Sequence, residues 1–397
     1  MKKIFIVFLL FIFIFNNSIS AFADDLPSIS SKSGILIDKE SGRVLWGKNQ
    51  YEVMPMASTT KIMTLLVALE NATGDEEVVV SSRASRAPDV QLDVVEGEEF
   101  TLRDLYYPLM LESANDVSIV VAESIGGSVE GFADMMTNKA KEIGAMDTSF
   151  KNPNGLDEEG HYTTAYDLAI ITKYALDNEE FCKIISTSTY TFKSDKKTYN
   201  VSNKNRLLTS YEGGNGVKTG YTNLAANCFV GSATRGDMQL ISVVLQAGWG
   251  ATGKEGKWTD TYEILNYGFN NYKYYDLIDA GKKEIGYIDI VNSKVLELPV
   301  YYNVTEKIRL PLRSDEVETF EVKAEYKKTL EAPVKEGDEI GFVALMLNGE
   351  ALENIPIVVE GNAEIHDFIA MTEKVLESWF NIGFNNSDVD IRGKILK

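Results

Sequence analysis

Cysteine and histidine are scarce in this chain of 397 residues, which contains two of each. Two cysteines exclude a disulfide-dense scaffold and a zinc site built from thiolates, and two histidines exclude a metal centre with several histidine ligands. We therefore expect neither a metal nor another cofactor. Any chemistry has to depend on hydroxyl, amine, amide and carboxylate groups.

Basic residues are also in short supply, because 39 lysines and arginines stand against 59 aspartates and glutamates, a formal net charge of −20. Nucleic-acid binding requires a basic face, so we expect no nucleic-acid partner. An anionic substrate is compatible with this charge, since only a local cationic pocket has to attract it. The apolar share of 44% is ordinary for a globular protein and too high for a disordered one.

Beyond the N-terminus, the sequence has no apolar run long enough to span a membrane. At the N-terminus, Lys2 and Lys3 precede the apolar segment 4–15, and segment 21–23 supplies the small residues of a signal-peptidase site. The apolar segment is shorter than the ~20 residues that span a bilayer, which favours a cleaved signal peptide over an uncleaved anchor. We therefore predict a signal peptide over residues 1–23 and an exported protein with room for about two domains.

Export would allow Cys182 and Cys228 to form a disulfide. However, Cys228 begins the apolar run Cys228-Phe229-Val230, which favours a small buried side chain. The sequence leaves the pairing open.

Residues 24–280 are predicted to form one domain of mixed helices and strands. Two apolar runs around the turn residues 39–42 indicate a hairpin, and the apolar segment 61–69 indicates a helix buried on every side. A helical pattern over 101–143 is interrupted at 112–115. Ser58 stands where the N-cap or the first turn of the 61–69 helix should be, and the other candidate caps are Thr101, Ser128 and Thr164. Further patterns complete a layered α/β (α+β) domain: a helix at 164–176, strands at 187–192, 228–233 and 239–246, and a helix at 260–269.

The pattern changes near residue 280. Short β-rich runs separated by turn residues predict a small all-β domain over 281–362. In the remaining segment, 363–397, apolar residues recur at helical spacing on one face: Ile365, Phe368, Ile369, Thr372, Val375, Leu376, Trp379 and Phe380. This amphipathic helix could pack against a neighbouring domain or lie in a membrane interface, and we favour the membrane although the helix lacks a basic face.

The first chemical motif is Ser58-Thr59-Thr60-Lys61, in which one helical turn separates a hydroxyl from an amine on the same face. A serine nucleophile needs a base, and a lysine that is desolvated among apolar residues can act as one. The spacing alone is not specific, because Ser194 and Lys197 have it too, in a polar stretch. For an isolated pair, a capping serine and a solvated lysine would be the simpler interpretation.

Two further motifs strengthen the chemical interpretation. Ser113-Ala114-Asn115 lies at the predicted helix break, where a hydroxyl and an amide can point into a cleft. Lys218-Thr219-Gly220 lies near a predicted strand, where an ammonium and a hydroxyl can meet a carboxylate and the glycine lets a ligand approach the backbone.

In this order and spacing, the three motifs resemble the S-x-x-K, S-x-N and K-T-G set of the penicillin-recognising serine enzymes. Residues from about 27 to 360 are similar to the D-alanyl-D-alanine carboxypeptidases of the penicillin-binding protein 5 type. The supporting stretches are 55–61, 152–157, 161–167, 205–208 and 216–222. The resemblance implies a β-lactamase-like domain in which helices flank an antiparallel sheet, a β-rich second domain and a C-terminal membrane anchor.

The resemblance also implies a role for each catalytic residue. Ser58 would attack the penultimate D-Ala carbonyl, with Lys61 as its general base. Ser113 would relay the proton to the departing D-Ala amine, and Asn115 would hold Lys61 and the substrate amide. A water molecule would then hydrolyse the ester.

Substrate binding is assigned in the same way to the K-T-G motif and the residue after it. Lys218 and Thr219 would bind the terminal carboxylate beside Gly220. The backbone N–H of Tyr221 would complete an oxyanion hole with that of Ser58.

The sequence departs from the family pattern at three positions, of which Tyr221 is acceptable because its proposed donor is the backbone N–H. Asn154 stands where the family often has histidine, so a contact in the pocket could differ. Lys257 is the nearest match to an arginine that helps hold the carboxylate, but it cannot form the same bidentate fork, and we leave it out of the site. His161 is expected to be a structural histidine, because a Ser/Lys site does not require imidazole.

These observations predict a serine-type D-Ala-D-Ala carboxypeptidase that trims peptidoglycan stem pentapeptides and is inhibited covalently by β-lactams. The alternatives are a β-lactamase and a non-catalytic sensor of β-lactams or wall peptides. No deacylating carboxylate of the β-lactamase kind is evident, and a sensor would not need the base. We expect the protein at the outer face of the cytoplasmic membrane or in the cell wall, attached to the membrane surface through its C-terminal helix.

Overall fold

The computed structural model describes residues 26–366, together with 372, 374–376 and 378. The predicted signal peptide lies outside these residues. So do four members of the predicted apolar stripe: Phe368, Ile369, Trp379 and Phe380. Both the signal peptide and the amphipathic helix therefore stay predictions.

The first part of the chain alternates between strands and helices. Its strands are β1 (Ser33–Asp38), β2 (Val44–Lys48), β3 (Glu77–Val79), β4 (Glu99–Thr101), β5 (Thr189–Lys193), β6 (Thr198–Ser202), β7 (Gly214–Thr222), β8 (Ala226–Arg235) and β9 (Met238–Leu245). Its helices are α1 (Lys61–Asn71), α2 (Leu102–Leu111), α3 (Asn115–Gly126), α4 (Val129–Glu142), α5 (Ala165–Ala175), α6 (Glu179–Ser186), α7 (Leu207–Ser210) and α8 (Gly250–Asn271).

A five-stranded antiparallel sheet, in the order β2–β1–β9–β8–β7, forms the centre of this part among the described residues. Side chains alternate between its faces. On β1, Ile35 and Ile37 pack into a core with α1, whereas Leu36 packs on the other face with Ile264 of α8. Helices therefore cover both faces of the sheet, and β7 forms one edge.

Helix α1 is buried on every side over Lys61–Ala68, as its apolar sequence predicts. Two of the predicted caps are present, since Ser128 accepts the Gly131 N–H and Thr164 accepts the Asp167 N–H. Thr101 precedes α2 but makes no side-chain cap. The carbonyls of Gly74 and Glu76 instead accept the first two N–H groups of α2.

Helix α8 begins at Gly250 rather than at Asp260, where the sequence pattern places its start. Its first turns contain Gly253 and Gly256, which have poor helix propensity and hide the helix from sequence reasoning. Close backbone packing at the start of the helix explains the difference. A Cβ on Gly253 would lie 2.0 Å from the Gly248 carbonyl oxygen, so a glycine is required where the helix packs against the preceding loop.

The rest of the described chain is rich in β-structure. Its elements are β10 (Lys273–Ile278), β11 (Gly281–Val291), β12 (Glu297–Val304), β13 (Ile308–Leu312), α9 (Ser314–Val317), β14 (Phe320–Tyr326), β15 (Thr329–Glu331), β16 (Glu339–Leu347) and β17 (Glu350–Val359). A six-stranded sheet runs in the order β14–β16–β17–β12–β11–β15, and β11 and β15 are its parallel pair. It has its own core, which includes Ile288, Leu345 and Ile357.

Ion pairs connect the β-rich part to the first sheet. Arg43, at the start of β2, binds Glu316 of α9 with 2.6 Å between Nη2 and Oε1, and both side chains are largely buried. Arg309 of β13 binds both Glu40 and Asp237, with 2.6 Å between the paired atoms in each case. These contacts lie around the β1–β2 turn.

Candidate active site

Ser58 lies in a short 3-10 turn, Ala57–Thr60, that leads directly into α1. The sequence allowed Ser58 at either the N-cap or the first turn of this helix. The structure places it in the turn that leads into α1, and no side chain caps α1. In a 3-10 turn, side chains three residues apart lie above one another. This geometry places the Lys61 Nζ 3.3 Å from the Ser58 Oγ.

Lys61 is fully buried, and polar groups from two other segments hold its amine. Its Nζ donates to the Asn115 Oδ1 at 2.8 Å and to the Asn154 backbone carbonyl at 2.7 Å. Burial lowers the pKa of Lys61 well below its ordinary value of 10.5, and the positive charge of Lys218 lowers it further, against the opposing effect of Asp116. The neutral form of the Lys61 amine is therefore much more favoured than the neutral form of an exposed lysine.

The second motif lies at the junction of α2 and α3. Ser113 has a φ of 66°, a left-handed conformation that ends one helix and redirects the chain into the next. Asn115 begins α3, and its Nδ2 donates to the Pro88 carbonyl at 3.0 Å. Within the part of the chain that the structure describes, no hydrogen bond joins the half-buried Ser113 side chain to Ser58 or Lys61.

The third motif lies on the edge strand β7 and faces the Ser58 turn. A Cβ on Gly220 would lie 3.0 Å from the Ser58 nitrogen and 3.1 Å from the Thr59 nitrogen. Only a glycine allows the strand and the turn to approach this closely without displacement. The following residue, Tyr221, is half-exposed and pairs with Asn227 across the sheet.

Two buried lysines belong to this part of the site, one on β7 itself and one on α8. Lys218 donates to the Thr219 carbonyl at 3.0 Å, and Lys257 of α8 donates to the Asn227 Oδ1 at 3.2 Å. Burial lowers the pKa of each amine, and the charge of Lys257 lowers that of Lys218 further. Among the described residues, neither amine has a carboxylate within ion-pair distance. An anion bound beside these amines would stabilise their protonated forms, so the site favours an anionic ligand.

The sequence predicted only a pocket contact at Asn154 for the loop 152–157, whereas the structure brings this loop against Lys61, the Ser58 turn and the end of β7. Its Asn154 carbonyl holds Lys61, and a Cβ on Gly155 would lie 2.0 Å from the Ala57 carbonyl oxygen. The Asp157 Oδ1 accepts from the Thr222 hydroxyl at 2.6 Å, at the end of β7. The Asn154 side chain bonds within its own loop, to the Leu156 N–H. A main-chain contact of this kind leaves no signal in the residue type.

His161 has the structural role that the sequence predicts. Its Nδ1 accepts the Lys151 N–H at 3.0 Å, which leaves the proton on Nε2, 2.8 Å from the Thr60 Oγ1. Burial lowers its pKa to about 4, so the ring is neutral near pH 7. The ring supports the Ser58 turn from behind.

The other candidate groups lie elsewhere. Ser194, which shares the Ser-x-x-Lys spacing, donates to Glu98, while the Lys197 amine donates to the Asp93 carbonyl. Cys182 and Cys228 are free thiols, and Cys228 is buried, in agreement with its apolar neighbours. Across the described ranges, no group of three or more His, Cys, Asp or Glu residues could hold a metal ion.

Comparison with known proteins gives the family. Residues 20–248 match the peptidase S11 family, D-alanyl-D-alanine carboxypeptidase, and residues 272–364 match the C-terminal domain of penicillin-binding protein 5. The chain belongs to the D-alanyl-D-alanine carboxypeptidase family. The predicted family, the penicillin-binding fold and the carboxypeptidase class of hydrolase are thereby confirmed.

Individual carboxypeptidases match over most of the chain. D-alanyl-D-alanine carboxypeptidase DacF of Bacillus subtilis is 32% identical over 366 residues, which cover 88% of this chain and 90% of the relative. DacC of Escherichia coli is 30% identical over 401 residues, which cover 91% and 92%. The crystal structure of penicillin-binding protein 5 from Haemophilus influenzae superimposes with a TM-score of 0.72 at 26% identity, over 85% of this chain and 98% of that one.

Proposed function

We propose that this carboxypeptidase removes the terminal D-Ala from peptidoglycan stem pentapeptides through an acyl-enzyme on Ser58. The main support is the Lys61 amine, which is buried, shifted toward its neutral form and 3.3 Å from the Ser58 hydroxyl. A neutral amine has two N–H groups, and Asn115 and Asn154 accept both. Its lone pair is then left for the proton of Ser58, which is what a general base requires.

Acylation leads to a tetrahedral intermediate whose oxyanion needs donors. The backbone N–H groups of Ser58 and Tyr221 fill this role, and Gly220 permits the short gap between the Ser58 turn and β7. Ser113 relays the proton to the departing D-Ala amine, and Asn115 keeps Lys61 in place and binds the substrate amide. Water then hydrolyses the ester.

The terminal carboxylate of the peptide binds Lys218 and Thr219. Lys218 is buried without an anionic partner among the described residues, so a bound carboxylate supplies its missing counter-charge. Lys257 adds positive charge from below the strand. This local pocket explains how an acidic protein holds an anionic peptide end.

β-Lactams are proposed as covalent inhibitors, because they present a carboxylate and a reactive carbonyl to the same groups. The test is intact-mass analysis and peptide mapping after penicillin treatment, together with D-Ala release from a stem pentapeptide. Ser58→Ala should abolish both labelling and release, while Ser194→Ala, the matched control with the same spacing to a lysine, should change neither. An adduct on Ser194 or Ser113 would refute the assignment.

Lys61→Arg separates the proposed base from a simple positive charge. Guanidinium does not give up a proton near neutral pH, so this variant should lose acylation rate by about 10²–10⁴-fold, nearly as much as Lys61→Ala. Stopped-flow acylation measures this rate. A Lys61→Arg variant that keeps most of it would mean that the base lies elsewhere.

Export with cleavage after residue 23 and attachment to the membrane surface by segment 363–397 complete the proposal. Among the described residues, no helix is both long and apolar enough to cross a membrane. Ile365, Val375 and Leu376 of the predicted stripe are all more than half exposed. Such side chains favour peripheral binding by apolar contact.

Deletion of residues 365–397 tests the membrane anchor. The shortened protein should no longer sediment with liposomes but should keep its activity on a soluble peptide. Acidic residues in the segment are repelled by anionic lipid, so binding of the full-length protein should strengthen as salt screens that repulsion. If the full-length protein stays in the supernatant and the deletion unfolds it, the stripe is a packing face.

A further inference from the structure

Three large side chains are exposed together at the end of β7 that follows the K-T-G motif. Tyr221, Leu224 and Trp249 are 50%, 60% and 54% exposed. Tyr221 and Trp249 both contact Asn223 in the turn between β7 and β8, since the Tyr221 hydroxyl lies 3.4 Å from the Asn223 Oδ1 and the Trp249 Nε1 donates to the Asn223 carbonyl at 2.9 Å. We call these three side chains the rim platform.

Trp249 is held in place although its ring is in solvent. It occupies the N-cap of α8, where a polar side chain would stabilise the helix, and it makes no capping hydrogen bond. The flanking Gly248 and Gly250 have φ values of 99° and 61°, and the Gly248 carbonyl accepts both the backbone and the side-chain N–H of Asn227. An immobilised, exposed indole loses little entropy when a ligand covers it.

The position of β7 gives the direction of a bound peptide. β7 is an edge strand whose glycine packs against the Ser58 turn, so a peptide in the intervening cleft can pair with it as an added strand. With the terminal carboxylate at Lys218 and the attacked carbonyl beside the Tyr221 N–H, the peptide runs antiparallel to β7. The residue that precedes the D-Ala-D-Ala pair then lies beyond Tyr221, toward Asn223.

From this placement we infer that the rim platform is a subsite for a long aliphatic side chain on the residue that precedes D-Ala-D-Ala. The inference rests on the proposed function, because the carboxylate and the attacked carbonyl fix the direction of the peptide. Aromatic faces and leucine methyl groups contact methylene groups without a charge partner. The methyl groups of the two D-alanines are too short to reach past Tyr221, so the subsite selects for the residue before them.

Two peptides that share the scissile bond test the subsite. They are Nα,Nε-diacetyl-L-Lys-D-Ala-D-Ala, with a long side chain, and N-acetyl-Gly-D-Ala-D-Ala, with none. The ratio of their kcat/KM values should favour the lysine peptide, mainly through KM, and should fall about five- to tenfold in Trp249→Ala. Leu224→Ala should lower the same ratio by a smaller factor. Tyr287→Ala, which removes a ring of similar exposure (56%) from the distant six-stranded sheet, should leave it unchanged.

Binding of both peptides to the Ser58→Ala variant keeps the subsite testable if Ser58 is not the nucleophile. If the Ser58→Ala variant binds the lysine peptide more tightly than the glycine peptide, and the added Trp249→Ala substitution removes this difference, the subsite is supported. This holds even if the D-Ala release experiment refutes the proposed function. Equal affinities for the two peptides, or equal losses on both after Trp249→Ala, would overturn the inference. Trp249→Phe should restore most of the preference, because it keeps an aromatic face.

Discussion

At the scale of single residues, the buried amines set the behaviour of the site. Lys61 and Lys218 both have lowered pKa values because burial disfavours the charged form. Their proposed tasks need opposite protonation states. A base must be neutral, whereas a carboxylate ligand must be charged, so activity requires Lys61 to lose its proton while Lys218 keeps one.

This requirement predicts a pH dependence that differs between substrates. For a peptide with a free carboxylate, kcat/KM should rise as Lys61 loses its proton and fall at higher pH as Lys218 loses its own, below the pH at which a surface lysine titrates. A C-terminally amidated analogue should show the rise but not the fall. Steady-state profiles of the two peptides from pH 5 to 11 measure this difference.

Lys218→Ala provides the matching variant. It removes a charge-assisted hydrogen bond of about 1.5–3 kcal/mol, so turnover of the carboxylate peptide should fall at least tenfold and that of the amide much less. Equal losses on the two peptides would indicate that Lys218 acts in the chemical step or in folding.

The three motifs in their order along the chain predicted these groups, although no single spacing was specific. Ser58 and Lys61 are three residues apart in a turn that continues as an apolar helix, and Lys218 precedes a glycine that permits close approach. The Asn154 carbonyl could not be found in this way, because every residue has a carbonyl. Lys257 was left out because it cannot form the bidentate fork of an arginine. Its burial beside Asn227 depends on how α8 packs on β8, which the sequence does not show.

At the scale of elements, the loop 152–157 connects the turn that carries the nucleophile to the strand that binds substrate. Gly155 packs on Ala57, and Asp157 accepts from both the Thr222 hydroxyl and the Leu224 N–H. Thr222 directly follows Tyr221, whose N–H is the proposed oxyanion donor. The loop therefore fixes the distance between the two halves of the oxyanion hole.

Thr222→Val should lower kcat about tenfold, because a displaced oxyanion donor loses part of the 10²–10³-fold effect of a complete donor. The KM of the peptide should change much less. Thr234→Val is the matched control. It removes a hydroxyl that donates to Asn215 at the other end of β7, at 2.9 Å. If both variants lose kcat to the same extent, general loosening of the sheet explains the effect, and Asp157 is not a positioning residue.

Some elements were predictable from local sequence and others were not. Thr164 and Ser128 were recognised as caps because their own side chains supply the acceptor. The start of α2 depends on carbonyls from residues 74 and 76, and the start of α8 on packing between glycines. The first is a tertiary contact between segments distant in sequence, and the second is a close backbone approach between nearby glycines. Neither is represented in helix propensity.

At the scale of the whole molecule, a buried ion pair joins the catalytic sheet to the β-rich part. The Arg43 and Glu316 side chains are 13% and 8% exposed. Loss of one partner leaves the other charge buried, which costs much more than loss of a surface pair.

Arg43→Met should therefore destabilise the protein by about 3–5 kcal/mol, since the largely buried Glu316 carboxylate would lose its Arg43 counter-charge. Penicillin acylation of Ser58 at 25 °C should be nearly unchanged in the folded variant. Arg83→Met, which breaks an exposed pair with Glu130 (51% and 68% exposed), should cost about 0–1 kcal/mol. Urea unfolding of both variants measures the free energy of unfolding that each loses. Similar losses would mean that the buried pair stabilises the protein no more than an exposed pair does.

The order of strands in the first sheet also governs when the protein can fold. β1 pairs with β9, so residues 33–38 need residues 240–245 before the sheet can close. Until then the β1–β2 hairpin has an unpaired edge, which is a template for association with other chains. The helices of residues 102–142 contact one another locally and can assemble earlier, because short loops close at lower entropic cost. The chain is consequently most prone to aggregation before β9 pairs with β1. A truncated chain that ends before residue 238 lacks β9, so its β1 edge stays unpaired and it remains prone to aggregation.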